Sequence, residues 1–216
     1  MALRPSLLVL AALAFAGACK PRPTPDAPPA DQAALPPGFP NLEGTHGPKI
    51  MPPVPKPDFT LTDTDGKPYN FRERTEGKIT LLFLGYTNCP DVCPVHLANI
   101  AAALQRLGPE IPQQLTVVFV TTDPARDTPQ AIRKWLDNFD KRFVGLTGDS
   151  ASVVALQNQL RMGAAFREPG KTPDSYTVAH SSMVLAFTRD NMAHIVYPFG
   201  IRQADWVNDL PLLVKS

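Results

Sequence analysis

The chain has 216 residues, 44% of them hydrophobic, with 21 Lys and Arg against 20 Asp and Glu and a formal net charge of +1. That length suits one compact domain plus an added segment, and the apolar share is enough for a sizeable core. The even charge balance, with no Lys/Arg run longer than a pair, excludes the basic stripe by which proteins usually grip nucleic acid.

In chain order, Arg4 precedes an apolar run over residues 7–15, shorter than the ~20 residues that span a bilayer. Ala16, Gly17 and Ala18 then lead into Cys19, so residues 1–18 read as an export signal. Ala16-Gly17-Ala18-Cys19 resembles the lipobox of bacterial lipoproteins, whose cysteine is acylated and becomes the first residue of the mature chain. Cys19 is therefore the expected lipidation site, with the domain held to a membrane in the bacterial cell envelope, on its extracytoplasmic side. Ala16 stands where that motif usually carries a bulkier aliphatic residue, and the alternative is plain secretion with cleavage near Ala18. Residues 19–57 read as a Pro-rich disordered tether: 13 of the 25 prolines lie between Lys20 and Pro57, without apolar periodicity. At ~3.1 Å per residue of polyproline II, it would reach on the order of 100 Å. His46 and Met51 fall in this stretch, where nothing in the sequence holds them as ligands.

From residue 58 the pattern becomes globular. Phe59-Thr60-Leu61-Thr62 and Pro68-Tyr69-Asn70-Phe71, joined across Asp65-Gly66, predict a β-hairpin. Residues 78–86 contain the unbroken run Ile79-Thr80-Leu81-Leu82-Phe83-Leu84, expected of a central strand buried on both faces. A helix over 95–107 stops at Gly108-Pro109, a strand follows over 115–121, and Asp127-Thr128-Pro129 opens a helix running to about residue 139. A short strand at 143–146, a helix at 150–162, an irregular loop at 163–179, a hairpin of 182–188 with 193–197, and a helix at 205–214 complete the chain. Trp135 and Trp206 sit in amphipathic helices and are expected against the sheet. This order predicts an α/β, thioredoxin-like mixed sheet with helices on both faces and an N-terminal β-hairpin. In such sheets ligands collect at the carboxyl ends of the parallel strands.

The loop there holds Cys89 and Cys93, four apart in Cys89-Pro90-Asp91-Val92-Cys93-Pro94, so on a helical or turn-like backbone both thiols face one way. A helix N-terminus favours the thiolate, the form that binds metal or attacks. A structural disulfide is the alternative, though a bridge closing so short a loop adds little stability. Two thiolates with one imidazole would hold copper in both oxidation states. His180 is the candidate imidazole: it precedes the strand at 182–188, and if that strand runs antiparallel to 78–86, its start lies beside the other strand's carboxyl end. His96, three residues after Cys93, is a rival on the same helix face. His194 and Met183 read as structural, Asp91 as an exposed carboxylate between the cysteines, and Asp123 with Arg126 as a turn or charged pair near the site.

Tyr86-Thr87-Asn88-Cys89-Pro90-Asp91-Val92-Cys93-Pro94, then Asp123-Pro124-Ala125-Arg126-Asp127-Thr128-Pro129, then His180 ahead of a strand, together resemble the Sco (SenC-type) copper chaperone family. The resemblance covers about residues 57–214. It implies a thioredoxin fold, copper bound by Cys89, Cys93 and His180, and assistance to the dinuclear copper site of cytochrome c oxidase subunit II or another exported cuproprotein, with a periplasmic copper donor as a second partner. Ala179 stands where the family often has an acidic residue, and Leu185-Ala186-Phe187-Thr188-Arg189-Asp190 lacks the aromatic strand ending in Asp-Pro. These departures bear on tuning of the metal. The alternative activity for the same pair is thiol-disulfide exchange that keeps a target's copper-binding cysteines reduced. A peroxiredoxin-like peroxidase fits the tight pair and distal histidine less well.

Overall fold

A computed structural model describes residues 40–172 and 175–216. The expected signal over 1–18, Cys19 and the first part of the tether lie outside the described residues.

Two strands form the middle of the sheet. β4 (Ile79–Gly85) and β5 (Leu115–Thr121) are parallel and in register from Ile79 opposite Leu115 to Gly85 opposite Thr121, and every residue of β4 is buried. β6 (Val144–Thr147) extends the sheet in parallel beyond β5. On the other side β9 (Val184–Phe187) runs antiparallel to β4, then β10 (Met192–Tyr197) antiparallel to β9. The expected antiparallel placement of the strand after His180 is therefore found. The predicted N-terminal hairpin is β2 (Thr60–Asp63) with β3 (Pro68–Asn70), attached antiparallel to β6.

Because β4 is covered on both sides, its alternate side chains enter two cores. Ile79, Leu81 and Phe83 meet α2 (Val92–Arg106), α4 (Pro129–Leu136) and α6 (Gln203–Lys215) through Leu97, Ile100, Ile132, Leu136, Trp206 and Leu210. Leu82 and Leu84 enter the second core with Phe71, Val118, Val120 and Leu156 of α5 (Ser150–Gln159). Trp206 is fully buried, while Trp135 is half-buried against Phe119 and Phe139. Fully burying one such side chain contributes roughly 1.5–3 kcal/mol, so the paired cores hold the sheet rigid beneath the loops at its carboxyl end.

Two short helices, α1 (Phe71–Thr75) and α3 (Glu110–Gln113), were not anticipated. Two larger expectations are corrected. The tether does not extend to residue 57: β1 (Lys49–Pro55) pairs antiparallel with β10 at the edge of the eight-stranded sheet, and Leu42 is fully buried. Val54 fills a core position, and His46 is tied to α6 by its N–H donating to Asp209 Oδ2 at 2.7 Å. Proline lacks the N–H a central strand needs, but an edge strand bonds on one side only. The predicted loop at 163–179 contains a second, two-stranded sheet, β7 (Phe166–Pro169) with β8 (Tyr176–Ala179). Among the described residues no helix is long and apolar enough to cross a membrane.

Candidate metal centre

Where β4 ends, the chain turns through residues 86–90 into α2. Thr87 fixes the turn: its N–H and hydroxyl donate to the Asp127 carboxylate at 2.9 and 2.6 Å, and the Thr121 hydroxyl donates to the same group at 2.6 Å. Asp127 is fully buried, so these are charge-assisted bonds away from water. Asp91 caps α2, its side chain accepting from the Val92 N–H at 2.6 Å. Cys93 follows as the second residue of the helix, buried, with its N–H donating to Cys89 Sγ at 3.4 Å. The backbone must come close here: a Cβ on Gly85 would lie 2.7 Å from Cys93 Sγ.

His180 sits between β8 and β9. Its Nδ1 is 2.8 Å from the Ser181 carbonyl oxygen, which can only accept, so this nitrogen carries the proton. Nε2 is the ring nitrogen left facing the cysteines, 3.5 Å from Cys93 Sγ. The ring stands edge-on to Tyr86, with centroids 5.6 Å apart. The ligand atoms of Cys89, Cys93 and His180 all lie within 4.8 Å of one another.

The thiols are free and unequal. Cys89 is held far below the ordinary thiol range, down to about 3, chiefly by the Cys93 thiol donating to it, against the opposing effect of burial; His180 and the N–H groups of Cys93 and Asp91 add to the effect. Cys93 is pushed up by the Cys89 thiolate at its side and by burial. The pair thus shares one proton, with the charge on half-exposed Cys89. Two sulfurs and an imidazole nitrogen suit soft and borderline ions, copper and zinc among them. Displacing the shared proton completes the dithiolate.

A family model described as SCO1/SenC matches residues 50–214. The chain belongs to the SCO1/SenC family. Its fold is similar to Bradyrhizobium japonicum ScoI with copper bound, at 32% identity and a TM-score of 0.66 over 74% of this chain and 99% of that one. Yeast Sco1 with copper bound gives 26% identity and a TM-score of 0.68 over 76% and 90% of the two chains. The mitochondrial protein SCO2 of Saccharomyces cerevisiae is 32% identical over 123 residues, 57% of this chain and 40% of its own length. The first curated relatives are matched over 40 to 60% of their length.

Within this Sco-family site, the other sequence candidates take different places. His96 is buried, which lowers its pKa and keeps it neutral, and its Nε2–H donates to the Ser182 carbonyl at 2.9 Å. It pins the segment after His180 in place of offering a lone pair there. His194 is buried with Nε2 2.7 Å from Asp190. Met183, expected in the core, is 45% exposed, because the chain has not yet entered β9 at that point. His46 Nδ1 lies 2.7 Å from Asp209, and Met51 is exposed on β1. Asp123 and Arg126 form an ion pair, as one sequence reading had it. Two residues with a hold on the site had passed as ordinary members of a motif. They are Asp127, which anchors the Cys89 loop, and Tyr86, which abuts His180. The signal for Asp127 was a run of Thr and Asp directly after the apolar stretch Val117-Val118-Phe119-Val120, where buried polar groups must pair with one another.

Proposed function

We propose that this chain is a copper metallochaperone that holds Cu(I) or Cu(II) through Cys89, Cys93 and His180. It passes the ion by ligand exchange to an exported cuproprotein, the dinuclear copper site of cytochrome c oxidase subunit II being the first candidate. The observation that carries this reading is the convergence of two sulfurs and an imidazole nitrogen within 4.8 Å, with the other ring nitrogen engaged by the Ser181 carbonyl. Cys19 would tether the domain through a lipid to a membrane of the bacterial cell envelope, on its extracytoplasmic side, and a copper donor would meet it there. The copper-bound Sco structures similar in sequence and fold support the choice of ion.

The test is anaerobic titration of the reduced protein with Cu(I) and Cu(II), beside His180→Ala and Cys89→Ser/Cys93→Ser. One copper per chain, with both ions lost in the double variant and Cu(II) selectively weakened in His180→Ala, supports the reading. Copper uptake by the double-serine variant equal to the wild type sinks it. Delivery is then assayed by mixing the loaded protein with the reduced soluble domain of cytochrome c oxidase subunit II. Formation of the dinuclear copper absorption supports that acceptor.

A second reading, thiol-disulfide oxidoreductase, is favoured by the inequality of the thiols. The Cys89 thiolate would attack a target disulfide. Cys93, giving up its proton, would then attack the mixed disulfide, releasing the target's dithiol and leaving the Cys89–Cys93 disulfide. A reduction potential of the pair above that of the target's disulfide removes this reading.

A further inference from the structure

Among the described residues, the β7–β8 hairpin that delivers His180 shares no backbone ladder with the eight-stranded sheet. A cluster of side chains just past the end of β5 grips it instead. Arg126 pairs through Nε with Asp123, donates from Nη1 to the Tyr176 carbonyl at 3.1 Å, and lays its guanidinium 3.6 Å from the centre of the Tyr176 ring. The Tyr176 hydroxyl donates to Asp123 at 2.9 Å. Arg167 lies 4.5 Å from the same ring and 3.7 Å from Asp123. Asp123 is buried, so its charge is answered inside this cluster. Tyr176 is four residues from His180. On the far side of the histidine, the Ser182 carbonyl is held by His96. The cysteines depend on neither attachment, being held by α2 and by the Thr87–Asp127 bonds.

Taking the copper reading above as its basis, we propose that Asp123, Arg126 and Tyr176 form a latch that positions His180 over the cysteine pair and thereby sets the preference between Cu(II) and Cu(I). Two thiolates alone suffice for Cu(I), a soft ion content with two ligands, whereas Cu(II) needs the nitrogen donor. The latch therefore acts on one oxidation state. None of its three members reaches the metal; they are positioning residues.

The experiment measures both affinities in the full chain for Arg126→Ala, Arg126→Lys and Tyr176→Phe. Arg126→Lys keeps the charge and loses the flat stack, while Tyr176→Phe keeps the ring and loses the bond to Asp123. Cu(II) affinity is expected to fall about 10–100-fold in Arg126→Ala, the usual cost of losing a group that orients a metal ligand, and less in the two milder variants. Cu(I) affinity stays within about twofold, and the midpoint potential rises by about 59 mV for each tenfold loss of Cu(II) affinity. In the His180→Ala background, Arg126→Ala has no further effect on Cu(II). Equal losses for both ions, no loss for either, or additive losses with His180→Ala overturn the latch. Amide hydrogen exchange in the metal-free protein gives an independent readout. Exchange across residues 176–180 quickens in Arg126→Ala while α2 is unchanged, and unaltered exchange at 176–180 overturns the proposal. If the wild type takes up no copper, the chaperone reading fails and the exchange result still decides the latch. If Arg126→Ala does not fold, Arg126→Lys and Tyr176→Phe carry the same comparison.

Discussion

Replacing Asp127 with alanine removes the acceptor of three hydrogen bonds, from the Thr87 N–H, the Thr87 hydroxyl and the Thr121 hydroxyl, at 2.9, 2.6 and 2.6 Å. The Thr hydroxyls can rotate toward other acceptors, but the Thr87 N–H is fixed by its backbone. At roughly 1–2 kcal/mol for each buried bond to a charged group after such relaxation, the loss is about 3–6 kcal/mol. That is a large part of the ~5–15 kcal/mol by which domains are usually stable. Asp127→Asn keeps the shape and forfeits the charge, with an expected cost of about 1–3 kcal/mol. Thr87→Ala deletes one bond of the three and should cost about 1–2 kcal/mol. The assay is urea unfolding of the reduced, metal-free protein, with an unchanged dependence on urea confirming that only stability has moved. Copper uptake should weaken in step, since Thr87 begins the loop that carries Cys89. An Asp127→Ala variant within about 1 kcal/mol of the wild type, or no more costly than Thr87→Ala, refutes the idea that this carboxylate anchors the loop.

Gly85→Ala should displace Cys93, because the new Cβ would lie 2.7 Å from its sulfur and 3.1 Å from the Phe119 ring; copper affinity and unfolding midpoint both fall, and an unchanged affinity refutes the close approach. Iodoacetamide should label Cys89 well before buried Cys93 in the metal-free protein. The Cys89 thiolate persists above about 3, so its labelling rate should be flat from about pH 5 to 8. A tenfold fall per pH unit, as for an ordinary thiol, refutes that state. Buried Lys56 donates to the Thr75 and Lys78 carbonyls at 2.6 and 3.2 Å, and burial pulls its pKa down to about 8. The unfolded chain therefore binds more protons between about pH 8 and 10.5, and this residue's contribution makes stability rise with pH across that window. Lys56→Met should abolish that rise in thermal unfolding followed across the same pH window, and an unchanged rise refutes the assignment.

The parts of the fold with one dominant physical signal were legible. The apolar run at 79–84 marked β4, residues 115–121 matched β5 end to end, and the cysteine spacing with the antiparallel return of β9 brought His180 to the pair. What stayed hidden lacked such a signal. Every residue of β7 is exposed, so Phe166–Pro169 has no inside-outside alternation to read. β1 carries Pro52, Pro53 and Pro55 and looks like a polyproline spacer until its partner is known. The grip of Asp127 and Arg126 on the site depends on partners 40 and 50 residues away in sequence, a distance over which local pattern is silent.

Those three prolines in β1 have one more effect. An open sheet edge is normally a template on which a second molecule can add a strand, and among the described residues the metal-binding sheet ends on one side at β1. With no N–H at residues 52, 53 and 55, that border offers few donors to a newcomer, and the break in register between Lys49 and Val54 spoils its regularity. The segment that looks least like a strand thus guards the sheet against growing from one molecule into the next.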